Sequence, residues 1–374
     1  MRTANPKEIL ISGASFAGLS TAYWMVKFGY NVTIVEMAKE IKKGGTPVNI
    51  MGRTIDIVKR MGLFDEIYAN RIKMESMSFK GANDETLRLE HRQETQEELT
   101  DSEYEIERDV LLQLMYNAVK DQVKFIFGDG IQGMTETTNQ IEVSFKKREV
   151  QRFDLIFGCD GIHSAVRKHW FGEEKEFSHF LQTYFSISIV DELLIPENTT
   201  ELYSEPGRTV MLNAYNSKTD ICLAFYSEQE IAYDYRNENQ MRKIIADAFK
   251  ETGWRTPELL AKIQTSSSFY FDKLCQMKMS SWTKGRVALV GDAGYCASPA
   301  AGRGGSLAID GAAALADAIE RNSDNIEAAF REYNDQFKPF IEQIQTEVVD
   351  FGMDVLIPKT KEAIEKRNRE GFSF

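Results

Sequence analysis

The chain has 374 residues, 43% hydrophobic and 27% charged, which suits one to three folded units and excludes a disordered chain. Its formal charge is −12 with no conspicuous Lys/Arg run, so neither nucleic acid nor an anionic membrane surface is expected as a partner. No stretch approaches the ~18 apolar residues of a membrane span, the N-terminus lacks a leader's apolar region, and the four cysteines have no paired spacing. A cytoplasmic, metal-free monomer is the expectation.

The first 36 residues read as a βαβ unit. EILISG (8–13) is an apolar strand ended by Gly13, and Leu19, Ala22, Tyr23 and Val26 then fall on one helical face before the β-branched strand NVTIVE (31–36). A helix is expected over about 53–70, and 73–106 is polar and acidic, suiting surface strands and loops. ERDVLLQLMYNAVKD (107–121) is an amphipathic helix, short strands follow to about 147, and RFDLIFGCDG (152–161) is again strand then turn. From 180 to 226 the pattern changes to antiparallel strands, LQTYFSISIV, RTVMLNAY and DICLAFYS. Helices are expected over 238–252 and 256–264, and across 325–370 with breaks near Gly352 and Pro358.

Three strand–turn–helix segments carry chemistry. GASFAG (13–18) follows the pattern G-x-G-x-x-G except for Ser15: Gly13 permits the turn, Gly18 lets helix meet strand, and the helix N-terminus offers free N–H groups to a pyrophosphate. Glu36, ending the second strand, suits ribose hydroxyls. GCDGIHSAVRKHW (158–170) is the second such segment, either a simple tight turn at Asp160–Gly161 with Ser164 as helix N-cap or part of a nucleotide site. In the third, VALVGDAGYCASPAAGRGG, nine of the fifteen residues from Gly291 to Gly305 are Gly or Ala. Asp292 there suits a sugar hydroxyl, Pro299 stiffens the loop, Gly302, Gly304 and Gly305 allow close approach, and Ser306 opens a helix. Arg303 and Arg108 are either solvated arginines or charges aimed at a flavin or phosphate.

GASFAG with Glu36, ERDVL, CDGIHSAVR and GDAGYCASPAAGRGG, in that order, resemble the class A FAD-dependent aromatic hydroxylases, with the para-hydroxybenzoate hydroxylase fold, over about residues 8–320. Within that class the short length, SWTKGRVALVGDAGYCASP, the KGG turn at 43–45 and a helical C-terminal extension are most similar to the tetracycline-inactivating monooxygenases. The resemblance implies an α/β fold: a discontinuous Rossmann-like FAD-binding domain (1–72, 101–178, 270–322), an inserted antiparallel-sheet substrate domain (73–100, 179–269) and C-terminal helices (323–374) that bridge or cap them. It implies that Gly13, Ser15, Ala17, Gly18 and Glu36 hold the ADP half of FAD and that Arg108 contacts the flavin chain. Asp160 and Gly161 would lie between pyrophosphate and the NAD(P)H path, and Asp292 would hold the ribityl or pyrophosphate region. Pro299, Gly302, Arg303, Gly304 and Gly305 would floor the isoalloxazine. Ser15, Met37 (where a basic residue is frequent) and Arg303 (where Gln is frequent) depart from the common forms.

The implied activity is NAD(P)H- and O2-dependent oxygenation of a polycyclic phenolic or enolic small molecule, tetracycline included. Because the cofactor carries the difficult chemistry, no catalytic triad or carboxylate pair is required. Gln182, Tyr184, Met211 and Phe225 are the expected substrate walls, with Met353 capping the pocket. The competing readings are a monooxygenase of another aromatic molecule, a flavin dehydrogenase that never uses oxygen, and a non-catalytic FAD-binding protein. A flavin halogenase is disfavoured because WxWxIP is absent.

Overall fold

The computed structural model describes residues 7–91, 103–323 and 325–371. The expectations for 1–6, 92–102, 324 and 372–374, including one predicted domain boundary, lie outside the described residues. Among those described, a six-stranded sheet runs in the order Thr283–Lys284, Val287–Leu289, Leu155–Gly158, Glu8–Ser12, Asn31–Glu36, Lys124–Phe127. It is parallel except at the Thr283–Lys284 edge. Its central strands are buried on both faces, which explains why they read as unbroken apolar runs.

Helices cover this sheet. Phe16–Lys27 is buried well beyond the predicted stripe: Phe16, Ala17, Gly18, Ser20, Thr21, Trp24 and Met25 join Leu19 and Ala22 in the interior, while Tyr23 and Val26 are only partly covered. The helix lies against strands and against the helices Arg108–Val119 and Gly304–Asn322, so one face does not suffice. The single helix expected over 53–70 is two, Arg53–Arg60 and Phe64–Ala69. Gly62, at φ +71°, ends the first in a Schellman turn, its N–H reaching the Lys59 carbonyl and that of Leu63 reaching Val58.

A seven-stranded sheet forms the second layer, in the order Ser268–Met277, Ser178–Val190, Lys218–Tyr226, Arg208–Tyr215, Thr199–Glu205, Ser76–Lys80, Thr86–His91. All its pairings are antiparallel except that of Thr199–Glu205 with Ser76–Lys80. One face packs on the helices Glu238–Phe249 and Thr256–Thr265 around a core of its own, which includes Val210, Leu223, Ile245, Phe249 and Leu259. The other turns toward the six-stranded sheet.

The C-terminal chain touches both layers. Helix Ile326–Glu347 packs on Gly304–Asn322 and passes into a π-turn at Val348–Gly352. Beyond it, the Leu356 carbonyl accepts from Thr209 on the seven-stranded sheet and that of Pro358 from the Gly207 N–H in the adjoining hairpin turn.

Tyr295, Trp282, Tyr333 and Phe337 form a buried aromatic cluster beneath the Gly291–Gly305 loop, and the Tyr333 hydroxyl donates to the Leu289 carbonyl at 3.1 Å. A methyl group at Gly311 would overlap the Tyr295 hydroxyl. Tyr295 has no room to retreat, so Gly311→Ala is expected to destabilise the protein by about 2 kcal/mol despite alanine's better helix propensity. An unchanged urea midpoint would show that Tyr295 can move aside.

Candidate functional site

The cleft at the carboxyl ends of the parallel strands is built by the three predicted segments. At the first, Gly13 has φ +102° and a side chain at Gly18 would overlap the Gly13 carbonyl oxygen, so helix Phe16–Lys27 starts as close to its strand as backbone allows. Ser15 occupies the N-cap position without a capping bond of its own, and its hydroxyl accepts from Arg108 at 3.4 Å. The Glu36 carboxylate is oriented by the Ala14 N–H at 2.9 Å and the Ala38 N–H at 2.8 Å, one on each oxygen. Each oxygen keeps a lone pair for a sugar hydroxyl. Met37 leaves the edge beyond it without a cation of its own, but Lys146 extends its ammonium to 3.3 Å from the Met37 sulfur.

Arg108 anchors the next wall. Its guanidinium donates to the Lys42 and Gly44 carbonyls at 3.1 and 2.8 Å and lies 5.4 Å from the Phe16 ring centre. Asp109 meanwhile accepts from the Gly44 N–H at 2.9 Å. The KGG turn is thus pinned by successive residues of one helix start. Burial lowers the Arg108 pKa, with the Asp109 charge opposing.

At the second segment the Asp160 carboxylate caps helix Ala165–Trp170. It accepts from the Ser164 hydroxyl at 2.5 Å, from the Ala165 and Val166 N–H groups at 2.9 and 3.2 Å, and from Ser12 at 3.2 Å. Ser164 accepts from the Arg167 N–H, as an N-cap does. Gly161 turns the chain at φ +75° beside open space. The buried Arg167 donates to the Ala293 carbonyl at 2.9 Å, tying this segment to the third.

In the third segment Asp292 opens a short helix, Asp292–Tyr295, and is the one exposed side chain between the buried residues 287 and 298. It faces open space yet is ringed by protein, and this burial raises its carboxyl above the usual range. Helix Gly304–Asn322 starts two residues earlier than Ser306, with Arg303 as N-cap. The glycines there divide by purpose. Side chains at Gly302 and Gly304 would meet nothing within 4 Å, whereas one at Gly305 would collide with Val48. Gly302 and Gly304 therefore border the cleft, and Gly305 is bare for interior packing. On the buried face of the same helix, burial pushes Asp310 up to about 7, against its bond from Thr54 at 2.7 Å.

The opposite bank is the seven-stranded sheet. Tyr184 and Phe225 are buried on its helix-covered face, with Tyr184 stacked on Phe225 and Phe271 at centroid distances of 5.5 and 5.6 Å. This corrects the expectation that they wall a pocket. Tyr184 and Phe225 are direct cross-strand partners, so alternation sends both into the second core, and the two extra residues between Phe180 and Tyr184 leave that face unchanged. Met211 pairs with Cys222 on the other face, toward the cleft side, and Gln182 is exposed at the bulge with φ +53°. Met353 is half-buried beside Gly352, which approaches the Ala300 carbonyl of the cleft loop.

Residues not singled out from the sequence complete this bank. Tyr270 is 39% exposed and 5.5 Å from Phe185 between ring centres, and the charges of Arg108 and Asp292 both bear on it. Its hydroxyl donates to Asp272 at 3.1 Å, as does that of Tyr233 at 2.9 Å. Asp220, fully buried, accepts from Tyr215 at 3.0 Å, and burial pushes it up to about 7. Lys218 pairs with Glu107 across the layers. Alternation along SSSFYFDKLC puts Tyr270 and Asp272 on one face, a signal available in the sequence; which face meets the cleft was not.

This cradle fits a dinucleotide with a flat ring: a close helix N-terminus, an oriented carboxylate at the second strand, an exposed carboxylate at the third turn and a bare floor beside it. Comparison with known proteins agrees. The FAD binding domain family matches residues 7–347. The chain is 31% identical over 366 residues to a flavin-dependent monooxygenase of Legionella longbeachae, covering 97% of this chain and 94% of that one. The crystal structure of tetracycline destructase Tet(51) superposes with a TM-score of 0.85 at 32% identity, covering 98% of this chain and 95% of the other. That of Tet(55) does so with a TM-score of 0.85 at 31% identity, covering 98% and 94%. The chain belongs to the FAD binding domain family and is a flavin-dependent monooxygenase.

Proposed function

We propose that this monooxygenase uses NAD(P)H and O2 to oxygenate a polycyclic phenolic or enolic molecule, and that tetracyclines are among its substrates. The observation that carries this reading is the full-length likeness to two tetracycline destructases, which takes in the C-terminal segment as well as both sheets. Bound FAD, reduced by NAD(P)H, supplies the activation of O2 and the transfer of one oxygen atom.

The chain supplies position and charge. The N–H groups at the start of helix Phe16–Lys27 and the Ser15 hydroxyl bind the pyrophosphate, with Gly13, Ala17 and Gly18 giving it room, and Glu36 accepts from the adenosine ribose. Arg108 and Asp292 hold the chain between pyrophosphate and ring. Asp160 keeps Gly161 and its turn in place beside the cleft. The N-terminus of helix Gly304–Asn322, with Pro299, Gly302, Arg303 and Gly304 around it, would offer a partial positive charge to the bound ring. Met211, Gln182 and Met353 border the substrate on the sheet and C-terminal sides, excluding water from the reacting atoms.

Two outcomes test this. Asp292→Ala should purify largely colourless while keeping its far-ultraviolet circular dichroism; full retention of FAD would remove Asp292 from the cofactor site. The yellow protein, mixed anaerobically with NADPH and then with oxygen, should convert tetracyclines to products one oxygen atom heavier by mass spectrometry. If the flavin turns over but neither tetracyclines nor simple phenols gain oxygen, the reading gives way to a flavin dehydrogenase.

A further inference from the structure

At the junction between the two sheets, His163 is held by carboxylates from both sides. It lies in the turn between strand Leu155–Gly158 and helix Ala165–Trp170, part of the FAD-binding layer. Its Nδ1 is 2.8 Å from Glu174 of its own layer, and its Nε2 is 3.4 Å from Asp272 of the seven-stranded sheet. The imidazole stacks on Tyr235 at 4.6 Å, with the planes 17° apart. Asp272 is buried, and besides His163 it accepts from Tyr233 and from Tyr270, the ring that borders the cleft near Arg108 and Asp292. The geometry therefore runs from a cation in one layer, through one carboxylate, to an aromatic ring at the cofactor cleft.

We propose that the His163–Asp272 charge pair is a latch that draws the seven-stranded sheet onto the FAD-binding layer and sets the Tyr270 ring at the wall of the cofactor cleft, so that FAD is held tightly only while His163 carries its proton. His163 and Asp272 are positioning residues and touch no reacting atom. The latch needs FAD in the cleft but no particular substrate, so it stands or falls separately from the tetracycline reading.

The surrounding groups favour the charged state. Facing His163 are Glu174, Asp272 and the ring of Tyr235, over which the Arg236 guanidinium lies at 4.7 Å. Arg167 lies 3.5 Å from Glu174, and Lys273, paired with Glu230 at 2.7 Å, also acts on Glu174. Burial opposes the charge on His163, but the Asp272 and Glu174 carboxylates outweigh it and push the imidazole up to about 9. Burial likewise opposes ionisation of Asp272, and His163, the Lys273 N–H and Tyr233 outweigh that, holding it below the usual carboxylate range. The sign follows. A histidine raised in the folded state contributes fully below its ordinary value of about 6.5 and loses that contribution as pH climbs through the raised value. The depressed carboxylate loses its share only in acid. The latch is closed at neutral pH and opens in alkali.

The test is the FAD dissociation constant of the holoenzyme between about pH 7 and pH 10, read from flavin fluorescence, with the melting temperature of the FAD-free protein as a second readout. In the unaltered chain, affinity should hold to about pH 8 and fall roughly tenfold by pH 10, the loss expected for one charge-assisted contact. His163→Gln should bind FAD weakly at pH 7 and show no alkaline break. His163→Lys should restore tight binding at pH 7 and move the break up toward lysine's ordinary value of about 10.4, a rescue that mere packing would not produce. Tyr270→Leu should loosen FAD at every pH while leaving the break in place. A flat profile in the unaltered chain, or a His163→Gln protein with the same affinity and profile as the unaltered one, overturns the latch. Should His163→Gln fail to fold by circular dichroism, the unaltered profile and the lysine variant decide.

Discussion

Helix Phe16–Lys27 can reach its sheet only because there is no side chain at the points of crossing. Gly18 rests on the Gly13 carbonyl, and Gly291 fits between the Cβ atoms of Ala17 and Ala308. A branched residue at any of these positions would push the helix outward and carry its N-terminus away from the strand ends. That N-terminus and the one at Gly304 are the fixed partial charges of the cleft, so their separation is set by packing and not by loops. On the proposed reading, one of these helix starts would take a pyrophosphate and the other a flat ring.

The carboxylates of the cleft divide by what already occupies them. Asp160 spends its oxygens on a helix cap, and Glu36 is aimed by backbone amides with capacity to spare. Asp292 stands exposed in a ring of protein, which makes it costly to charge without a partner. Sequence spacing treats the three as equivalent acids after a strand, but their surroundings separate a structural group from groups with a free lone pair.

Much of this was legible beforehand, since strand, turn and helix in each nucleotide segment are contiguous in the chain. The glycine positions and the acids Glu36 and Asp292 follow from local backbone requirements. The misreading of Tyr184 and Phe225 has an equally physical source. Strand Ser178–Val190 carries apolar residues on both faces, because one covers a helical core and the other faces the cleft, so alternation cannot say which is which. The bulge after Phe180 adds two residues, an even number, so Phe180 and Tyr184 still pack on the same core and the irregularity marks no change of face. The early start of helix Gly304–Asn322 and the break at Gly62 are smaller discrepancies of the same origin, decided by which backbone groups find partners.

By itself the sequence determined the α/β class and the three strand–turn–helix segments, because each depends on residues a few positions apart whose conformational needs are intrinsic. Tertiary structure alone decided which sheet face meets the cleft, which acids remain free, and that His163 lies between Glu174 and Asp272. Those outcomes rest on charges and rings brought together from distant parts of the chain, where burial and proximity set their behaviour and no periodicity records them.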